Sequence, residues 1–431
     1  MVSGDRSPPA RRRVLITGIG LVTPLGLDAP ATWGALLAGT SGIDVVRSFD
    51  ASGFPVRIGA EVKGFDDTRV ERGLRRYATR QHRFALAAAA EALRDAGVAP
   101  TPETAAHWAC IVGAGMMGVE FADLAAFQRR AAPEGVLRPD RVAEPASAVA
   151  FARNQPTAGL ALLVRRFGIQ GRAAAMHTAC ASGGQALGAA MRLIRHGTAD
   201  CALAGGFDAM LNPIGLAGFC LLGALSADNH DPPRASRPFD RSRNGFVLGE
   251  GAGFLVLEAA DVARRRGARA YAELAGDGNA LSSYRITDSH PSGRGPIEAM
   301  RHALADANEP PEAVDYLNAH GTSTPMNDRS ECAAVRAVLG AQAARLAVSS
   351  TKSLMGHLIA AAGAVEAAIC ALAIRDGVAP ASANLRQPDP DCHLPFVTGA
   401  PQRRPIRVAL SNAFGFGGSN NCLVLRAAPA A

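Results

Sequence analysis

Short runs of β-branched and other apolar residues alternate along this chain with Ala-rich segments of helical length, and this alternation restricts the possible folds more than any other feature. The apolar runs predict strands at Val14–Thr17, Cys110–Val112, Cys201–Ala204, Phe254–Glu258, Leu346–Ser349 and Arg407–Ser411. The Ala-rich segments predict helices at Thr79–Ala96, Cys180–His196, Pro296–Ala307, Glu331–Leu339 and His357–Asp376. Such an order is typical of an α/β fold whose sheets are buried between helical layers.

The 431 residues are enough for roughly two or three domains, but no linker rich in Pro or Ser divides them. The clearest change in composition is Val262–Ala270, where an Arg-rich helix end precedes a new strand at Tyr271–Ala275. We therefore predict two halves, residues 1–268 and 269–431. A faint internal repeat favours similar halves, because Thr178-Ala179-Cys180 and Thr351-Lys352-Ser353 each precede an Ala- and Gly-rich helix.

The net charge of +7 would suit a nucleic acid, an acidic protein partner or phosphorylated ligands. Nearly all of the cationic residues are Arg, since Lys63 and Lys352 are the only lysines. They are scattered, and no helix carries Arg interleaved with aromatic residues that could stack on bases. We therefore expect no nucleic-acid partner.

Eight cysteines are spread along the chain without a CxxC pair, which argues against zinc ribbons, iron–sulfur clusters and a dense disulfide framework. We expect no metal and a reducing cytoplasm. The longest apolar stretch, Leu358 to Ile374, contains Gly363 and Glu366 and is shorter than the roughly 20 apolar residues of a membrane span. It predicts a buried helix and no membrane insertion. The N-terminus, Met1 to Arg13, lacks the apolar run of a signal peptide.

Gly18-Ile19-Gly20-Leu21-Val22-Thr23 follows the first predicted strand and partly matches the dinucleotide-binding pattern GxGxxG. Thr23 stands where the third glycine is needed and Pro24 follows, so the match is weak. We predict a tight strand-to-helix turn here and no dinucleotide cofactor.

Cys180 lies between a predicted extended segment and a predicted helix, in the sequence Met176-His177-Thr178-Ala179-Cys180-Ala181-Ser182-Gly183-Gly184. A thiol at a helix N-terminus ionises more readily, and the free N–H groups there can hold the oxygen of an acyl substrate. The small neighbouring residues leave room for that substrate. Cysteine is also commonly a buried structural residue, and for Cys180 alone both interpretations stay open.

Two histidines lie in small polar turns that contain glycine, rather than on an apolar helix face. The turns are Asn318-Ala319-His320-Gly321-Thr322-Ser323-Thr324-Pro325 and Lys352-Ser353-Leu354-Met355-Gly356-His357. Such a turn can present an imidazole to a cavity, and we place Lys352 at the start of the same helix as His357. A single histidine more often has a structural role, but the combination with Cys180 favours a catalytic site.

Three glycines surround Phe416 at the end of a predicted strand, in Ser411-Asn412-Ala413-Phe414-Gly415-Phe416-Gly417-Gly418-Ser419-Asn420. One interpretation is a plain turn. The other is a mobile loop that offers an N–H group to an oxyanion and moves Phe416 as a gate.

Taken in order, the motifs around Cys180, His320, His357 and Phe416 resemble those of the β-ketoacyl-acyl carrier protein synthases, and the type II enzymes most of all. The resemblance implies a thiolase fold, with duplicated halves in five layers, α-β-α-β-α. It also implies a decarboxylative condensation. Cys180 would take an acyl group from acyl carrier protein; malonyl carrier protein would then lose carbon dioxide and attack the acyl thioester, giving a 3-oxoacyl thioester.

The resemblance further implies roles for individual residues. The N–H groups of Cys180 and Phe416 would form an oxyanion hole, in a loop loosened by Gly415 and Gly417. His320 and His357 would stabilise the enolate of the malonyl group. Their protonation and orientation would be fixed by Lys352 and Glu331.

Other implied contacts concern the substrate and its carrier. The acyl pocket would be lined by Met116, Met117 and Phe219, and the pantetheine arm would meet Thr287, Thr322, Thr324 and Phe414. No cofactor is implied apart from the phosphopantetheine of the carrier protein. Candidates for docking this acidic protein through charge pairs are Arg72, Arg75, Arg76 and Arg130, and a solvated basic face is the alternative interpretation.

The second implied partner is another subunit, either an identical copy or a related ketosynthase-like chain. The alternative function is a non-elongating subunit that resembles a chain-length factor, but such a subunit would lack the nucleophile, and Cys180 argues against it. Fatty acid and polyketide synthesis both stay open, because both use this chemistry.

Overall fold

The computed structural model describes residues 11–115, 119–142, 148–285 and 290–428. The strands are β1 (Val14–Val22), β2 (Asp44–Val45), β3 (Ile58–Gly59), β4 (Trp108–Ala114), β5 (Ala173–Met176), β6 (Cys201–Asp208), β7 (Gly251–Ala259), β8 (Ala272–Leu281), β9 (Tyr316–Asn318), β10 (Ala347–Ser349), β11 (Val378–Ala379), β12 (Gln402–Arg403), β13 (Val408–Phe414) and β14 (Ser419–Arg426). The helices are α1 (Ala29–Leu37), α2 (Arg72–Arg75), α3 (Arg80–Ala96), α4 (Phe121–Ala131), α5 (Pro139–Val142), α6 (Ala148–Arg153), α7 (Ala158–Phe167), α8 (Ser182–Arg195), α9 (Pro213–Leu221), α10 (Pro232–Ala235), α11 (Ala260–Arg265), α12 (Arg294–Ala307), α13 (Pro325–Leu339), α14 (Lys352–Met355) and α15 (Ala362–Asp376).

A ten-stranded mixed sheet contains most of these strands, in the order β10-β9-β13-β14-β8-β1-β7-β6-β4-β5. The order β5-β4-β6-β7-β1 in the N-terminal half is repeated, strand for strand, by β10-β9-β13-β14-β8 in the C-terminal half. The two sets meet where β1 pairs antiparallel with β8. The strand order therefore shows a duplicated unit, while the exact boundary after residue 268 stays a prediction.

The helices complete five layers. The central pair, α8 and α15, contact each other and strands of both sets, and the largest apolar cluster lies around them. On the outer faces, α3 covers β1 and β7, whereas α12 covers β8 and β14. This is the α-β-α-β-α arrangement that the resemblance to the β-ketoacyl-acyl carrier protein synthases implied. Among the described residues no helix is long and apolar enough to cross a bilayer, and the predicted buried helix is α15.

Gly18 and Gly20 lie inside β1, so the predicted strand-to-helix turn is wrong. A Cβ atom on Gly18 would lie 2.2 Å from the carbonyl oxygen of Ala92, and one on Gly20 would lie 1.9 Å from that of Ala88. The two glycines are thus required for α3 to lie directly against the strand. Their function is close packing between backbones rather than a change of chain direction.

The internal repeat is real, but its register differs from the one predicted. A 3₁₀ turn precedes each central helix, at Ala179–Ala181 before α8 and at Ile359–Ala361 before α15. Cys180 therefore corresponds to Ala360 and not to the segment around Lys352. The prediction that Lys352 and His357 share a helix is also wrong, because α14 ends at Met355 and His357 forms a β-bridge with Leu248.

Candidate active site

Four segments that follow strand ends converge on one cavity of about 260 Å³. Cys180 follows β5, His320 follows β9, His357 follows β10 and Phe416 follows β13. Beyond these four, the lining includes several residues that the sequence analysis singled out, namely Thr322, Thr324, Phe414 and Gly415. Phe219 packs behind the cavity, with its ring centroid 6.3 Å from that of Phe416.

Cys180 occupies the middle of its 3₁₀ turn, directly before α8. The turn is strained, because Ala179 has a φ of 50°, and the Ser182 hydroxyl stabilises it by accepting from the N–H of Thr178 at 2.8 Å and donating to the carbonyl of Ala179 at 2.6 Å. Burial raises the pKa of the Cys180 thiol to about 12, and the charge of Asp208 adds to this effect, while the charge of Lys352 and the N–H groups of Phe416 and Cys180 act in the opposite direction. Both amides of the predicted oxyanion hole thus face the sulfur.

His357 contacts the thiol directly, with Nε2 3.0 Å from Sγ. Its other ring nitrogen, Nδ1, accepts a hydrogen bond from the N–H of Ile359 at 3.3 Å. A nitrogen that accepts carries no proton, so the neutral ring carries its proton on Nε2, towards Cys180. The backbone of His357 is held by Val247 and Gly249, at 2.7 and 2.9 Å.

His320 lies beside His357, and the two ring centroids are 5.3 Å apart. The Glu331 carboxylate accepts from the N–H groups of His320 and Gly321, each at 2.8 Å, and from the side chain of Asn412 at 2.9 Å. Glu331 therefore fixes the backbone turn that carries the imidazole, and it acts on the orientation of His320 through that turn. In the described part of the chain, Nδ1 of His320 has no hydrogen-bond partner.

Lys352 lies next to the histidines and is fully buried, where it forms an ion pair with Glu366 of α15. Burial and the Lys352 charge together hold the pKa of His320 and of His357 well below the usual value. Both rings are consequently neutral near pH 7, which suits them to donate hydrogen bonds to a developing enolate.

Sequence reasoning missed Glu366 as a member of this site. Burial raises the pKa of Glu366 to about 7, against the effect of the nearby Lys352 ammonium. One signal was available, because a single carboxylate in an Ala-rich buried helix needs a cationic partner.

The glycines after β13 bring the Phe416 loop against the Cys180 turn. A Cβ atom on Gly415 would lie 2.7 Å from the carbonyl oxygen of Thr178. Gly417 and Gly418 have φ values of 79° and 81°, which only glycine adopts readily. The glycines are therefore needed for a compact turn that aims the N–H of Phe416 at the thiol.

The ligand atoms of Cys180, His320 and His357 lie within 4.8 Å of one another. One thiolate and two imidazoles are a donor set that zinc also accepts. The sequence predicted no metal here, and that stays a prediction.

Several residues that were predicted to belong to the site lie away from this cavity or outside the described part of the chain. Met116, Met117 and Thr287 fall outside the described residues. The four docking candidates are at the surface, with Arg72, Arg76 and Arg130 exposed and Arg75 half-buried. Arg75 donates to the carbonyl of Val70 at 2.7 Å, so part of its guanidinium already has a partner.

Two family models match the chain: "Beta-ketoacyl synthase, N-terminal domain" over residues 11–263 and "Beta-ketoacyl synthase, C-terminal domain" over residues 271–386. A 3-oxoacyl-[acyl-carrier-protein] synthase 2 from Coxiella burnetii is 39% identical over 423 residues, which cover 96% of this chain and 98% of the relative.

Solved structures with the same fold include two ketosynthase assemblies. A type II PKS acyl-carrier protein in complex with its ketosynthase bound to the hexaketide gives a TM-score of 0.87 at 31% identity, over 97% of this chain and 100% of that one. The ishigamide ketosynthase/chain length factor gives 0.86 at 33% identity, with the same coverage.

Proposed function

Because this chain belongs to the β-ketoacyl synthase family, we propose that it condenses an acyl group on Cys180 with malonyl-acyl carrier protein and releases carbon dioxide and a 3-oxoacyl carrier protein. The observation that carries the proposal is the thiol itself, which is faced by two backbone amides and by Nε2 of His357 at 3.0 Å. A nucleophile, an oxyanion hole and a proton donor thus meet in one cavity.

The first half-reaction is acyl transfer. The Cys180 thiolate attacks the thioester carbonyl of the acyl carrier protein, and the N–H groups of Cys180 and Phe416 hold the resulting oxyanion. Each such donor is worth about 2.7–4 kcal/mol in other enzymes. The proton that Cys180 gives up passes to the pantetheine sulfur, which leaves as a thiol, and the acyl group stays on Cys180.

The second half-reaction is decarboxylation followed by condensation. When malonyl carrier protein enters, the electrons of its C–CO₂ bond move to the thioester oxygen as an enolate. The neutral His357 donates a hydrogen bond from Nε2 to that oxygen, and His320 lies beside it for a second one. The enolate carbon then attacks the acyl carbonyl, and the Cys180 thiolate is released.

The proposal is tested by intact-protein mass spectrometry after incubation with a panel of acyl carrier protein thioesters. We expect an acyl adduct that is lost when malonyl carrier protein is added and that is absent in Cys180→Ala. The adduct should persist in Cys220→Ala, because Cys220 is half-exposed and lies outside the cavity. No adduct with any chain length would instead favour a non-elongating, chain-length-factor-like subunit. The accepted lengths would separate fatty acid from polyketide substrates.

We also propose that the acidic carrier protein docks on Arg72, Arg75, Arg76 and Arg130. Arg153 of α6 connects the end of α2 to α4. It donates to the carbonyl of Arg76, the residue after α2, at 3.4 Å, and it pairs with Asp123 of α4. Cationic groups from both regions can thus face one partner.

A reducing cytoplasm remains our expectation, since the nucleophile must be a free thiol.

A second ketosynthase-like subunit is proposed to cover the β5 edge of the sheet. In the described residues β5 has no partner on its outer side, whereas the corresponding edge strand β10 is covered by the segment at Pro395–Val397. Helix α7 contacts β5, α6 contacts α7, and Arg153 of α6 pairs with Asp123 of α4. Together α4 and α6 expose apolar side chains, namely Phe121, Leu124, Phe127 and Phe151. An open edge with exposed apolar neighbours is typical of an interface between subunits.

A further inference from the structure

The duplication places a second copy of the Cys180 turn beside the first. The turns Ala179–Ala181 and Ile359–Ala361 are in contact, and each begins on a residue with a left-handed φ, 50° at Ala179 and 46° at Ile359. Their middle residues are Cys180 and Ala360. The second copy therefore has the backbone of a nucleophile turn without a nucleophile.

The second copy also retains a pair of backbone N–H groups. In the first copy, the N–H groups of Cys180 and Phe416 face the thiol, and Phe416 comes shortly after the end of β13. In the strand order β6 corresponds to β13, and β6 is followed by Ala209 and Met210. Because Phe416 is the second residue after β13, the corresponding amides are those of Ala360 and Met210.

Asp208, the last residue of β6, places its carboxyl group against this second copy, where Oδ1 has no hydrogen-bond partner among the described residues. Its Oδ2 accepts from the N–H of Ala360 at 3.2 Å, and the side chain is fully buried. Burial raises the pKa of Asp208 to about 7, while the amides of Ala360, Met210 and Ala209 act in the opposite direction. Gly115 leaves room for the carboxyl group, because a Cβ atom there would lie 2.6 Å from Oδ2.

The turn that Asp208 holds is the one that orients His357. Ile359 is β-branched and has a φ of 46°, a strained conformation that persists only where the surroundings enforce it. From this position its N–H reaches Nδ1 of His357 at 3.3 Å, and the next N–H, of Ala360, reaches Asp208. Hydrogen bonds therefore fix two consecutive N–H groups: that of Ile359 on the imidazole of His357, and that of Ala360 on the carboxyl group of Asp208.

We propose that Asp208 is a positioning residue for His357: its carboxyl group, seated in the inactive copy of the oxyanion hole, holds the Ile359–Ala360 turn and so keeps the His357 proton on Nε2. The expected effect of Asp208 on the reaction rate rests on the proposed condensation. The position of the His357 proton does not depend on that proposal, and it can be measured without any reaction.

The test uses Asp208→Leu, which has about the size of the original side chain but no oxygen that can accept from the N–H of Ala360. Nitrogen NMR of protein with ¹⁵N-labelled histidine reads the tautomer, and His357→Asn assigns the signal. In the wild type we expect a protonated Nε2 and a bare Nδ1 for His357, and in the variant a mixture of tautomers. Malonyl decarboxylation should fall at least tenfold, while acylation of Cys180 should not fall, because it uses the first amide pair and the variant removes a negative charge that raises the pKa of the thiol.

Glu258→Gln is the matched control, because Glu258 is a buried carboxylate of β7 that binds Arg266 and Thr17, away from the turn. It should leave the His357 signal unchanged. If Asp208→Leu does not fold, Asp208→Ala tests the same contact. An unaltered His357 signal in a folded Asp208 variant, equal losses in both half-reactions, or a wild-type proton on Nδ1 would each overturn the proposal. A wild type that accepts no acyl group would refute the condensation alone.

Discussion

Lys352 sets the charge state of the two catalytic histidines. Its ammonium adds to the effect of burial and lowers the pKa of both His320 and His357. Lys352→Met should raise both pKa values, so the rings become protonated at a higher pH. A proton on Nδ1 of His357 would then oppose the N–H of Ile359. We expect the acid side of the pH profile for condensation to move to higher pH by about one unit, the typical effect of one nearby charge.

Lys63 is the natural control for this experiment, because it is the other lysine and pairs with Asp44 at the surface, at 3.0 Å. Lys63→Met should leave the profile in place. If both variants kept the wild-type profile, the charge of Lys352 would have no part in the titration of the histidines.

The same lysine predicts a stability effect. In Lys352→Met the Glu366 carboxyl group is left buried without its partner, and breaking a buried ion pair typically costs about 3–5 kcal/mol in the free energy of unfolding. The double variant Lys352→Met/Glu366→Gln removes the unpaired acid and should recover most of this loss. Urea denaturation measures both changes, and a double variant no more stable than the single one would contradict the explanation.

At the scale of an element, the contact between β1 and α3 depends on two glycines. Gly20→Ala places a methyl group 1.9 Å from the carbonyl oxygen of Ala88 and should cost about 3 kcal/mol or more, because strand and helix must separate. Gly34→Ala is the matched control: it lies in α1 with open space around it and should stabilise the protein by about 0.5–1 kcal/mol. Thermal unfolding of both variants checks the difference in sign.

These elements also show what the sequence could and could not predict. Cys180, both histidines, Lys352 and Phe416 lie in contiguous motifs, and the structure brings all five together. Glu366 and Asp208 were missed because neither lies in one of these motifs: Glu366 pairs with Lys352, 14 residues away, and Asp208 accepts from the N–H of Ala360, 152 residues away. The length of β1 was underestimated for a related reason: its glycines are required by α3, and no local pattern reveals that contact.

For the whole molecule, the open β5 edge predicts association. The purified chain should sediment at twice 44.4 kDa if it pairs with itself. Phe151→Glu, at a phenylalanine that is 70% exposed on α6, should weaken the dimer at least tenfold. Leu221→Glu, at a site on α9 that is 90% exposed, should not. Analytical ultracentrifugation measures both, and a monomeric wild type would mean that the partner is a different, related chain.

The doubled turn at the centre of the molecule bears on how such an enzyme changes over time. Once the second copy had no nucleophile to maintain, selection could act on it separately from the reacting copy. Substitutions at Asp208 or Ile359 can then alter catalytic rate while the residues that contact the acyl chain stay the same. The catalytic rate and the choice of substrate can therefore evolve through different residues, the rate through the second copy of the turn and the substrate through the residues that contact the acyl chain.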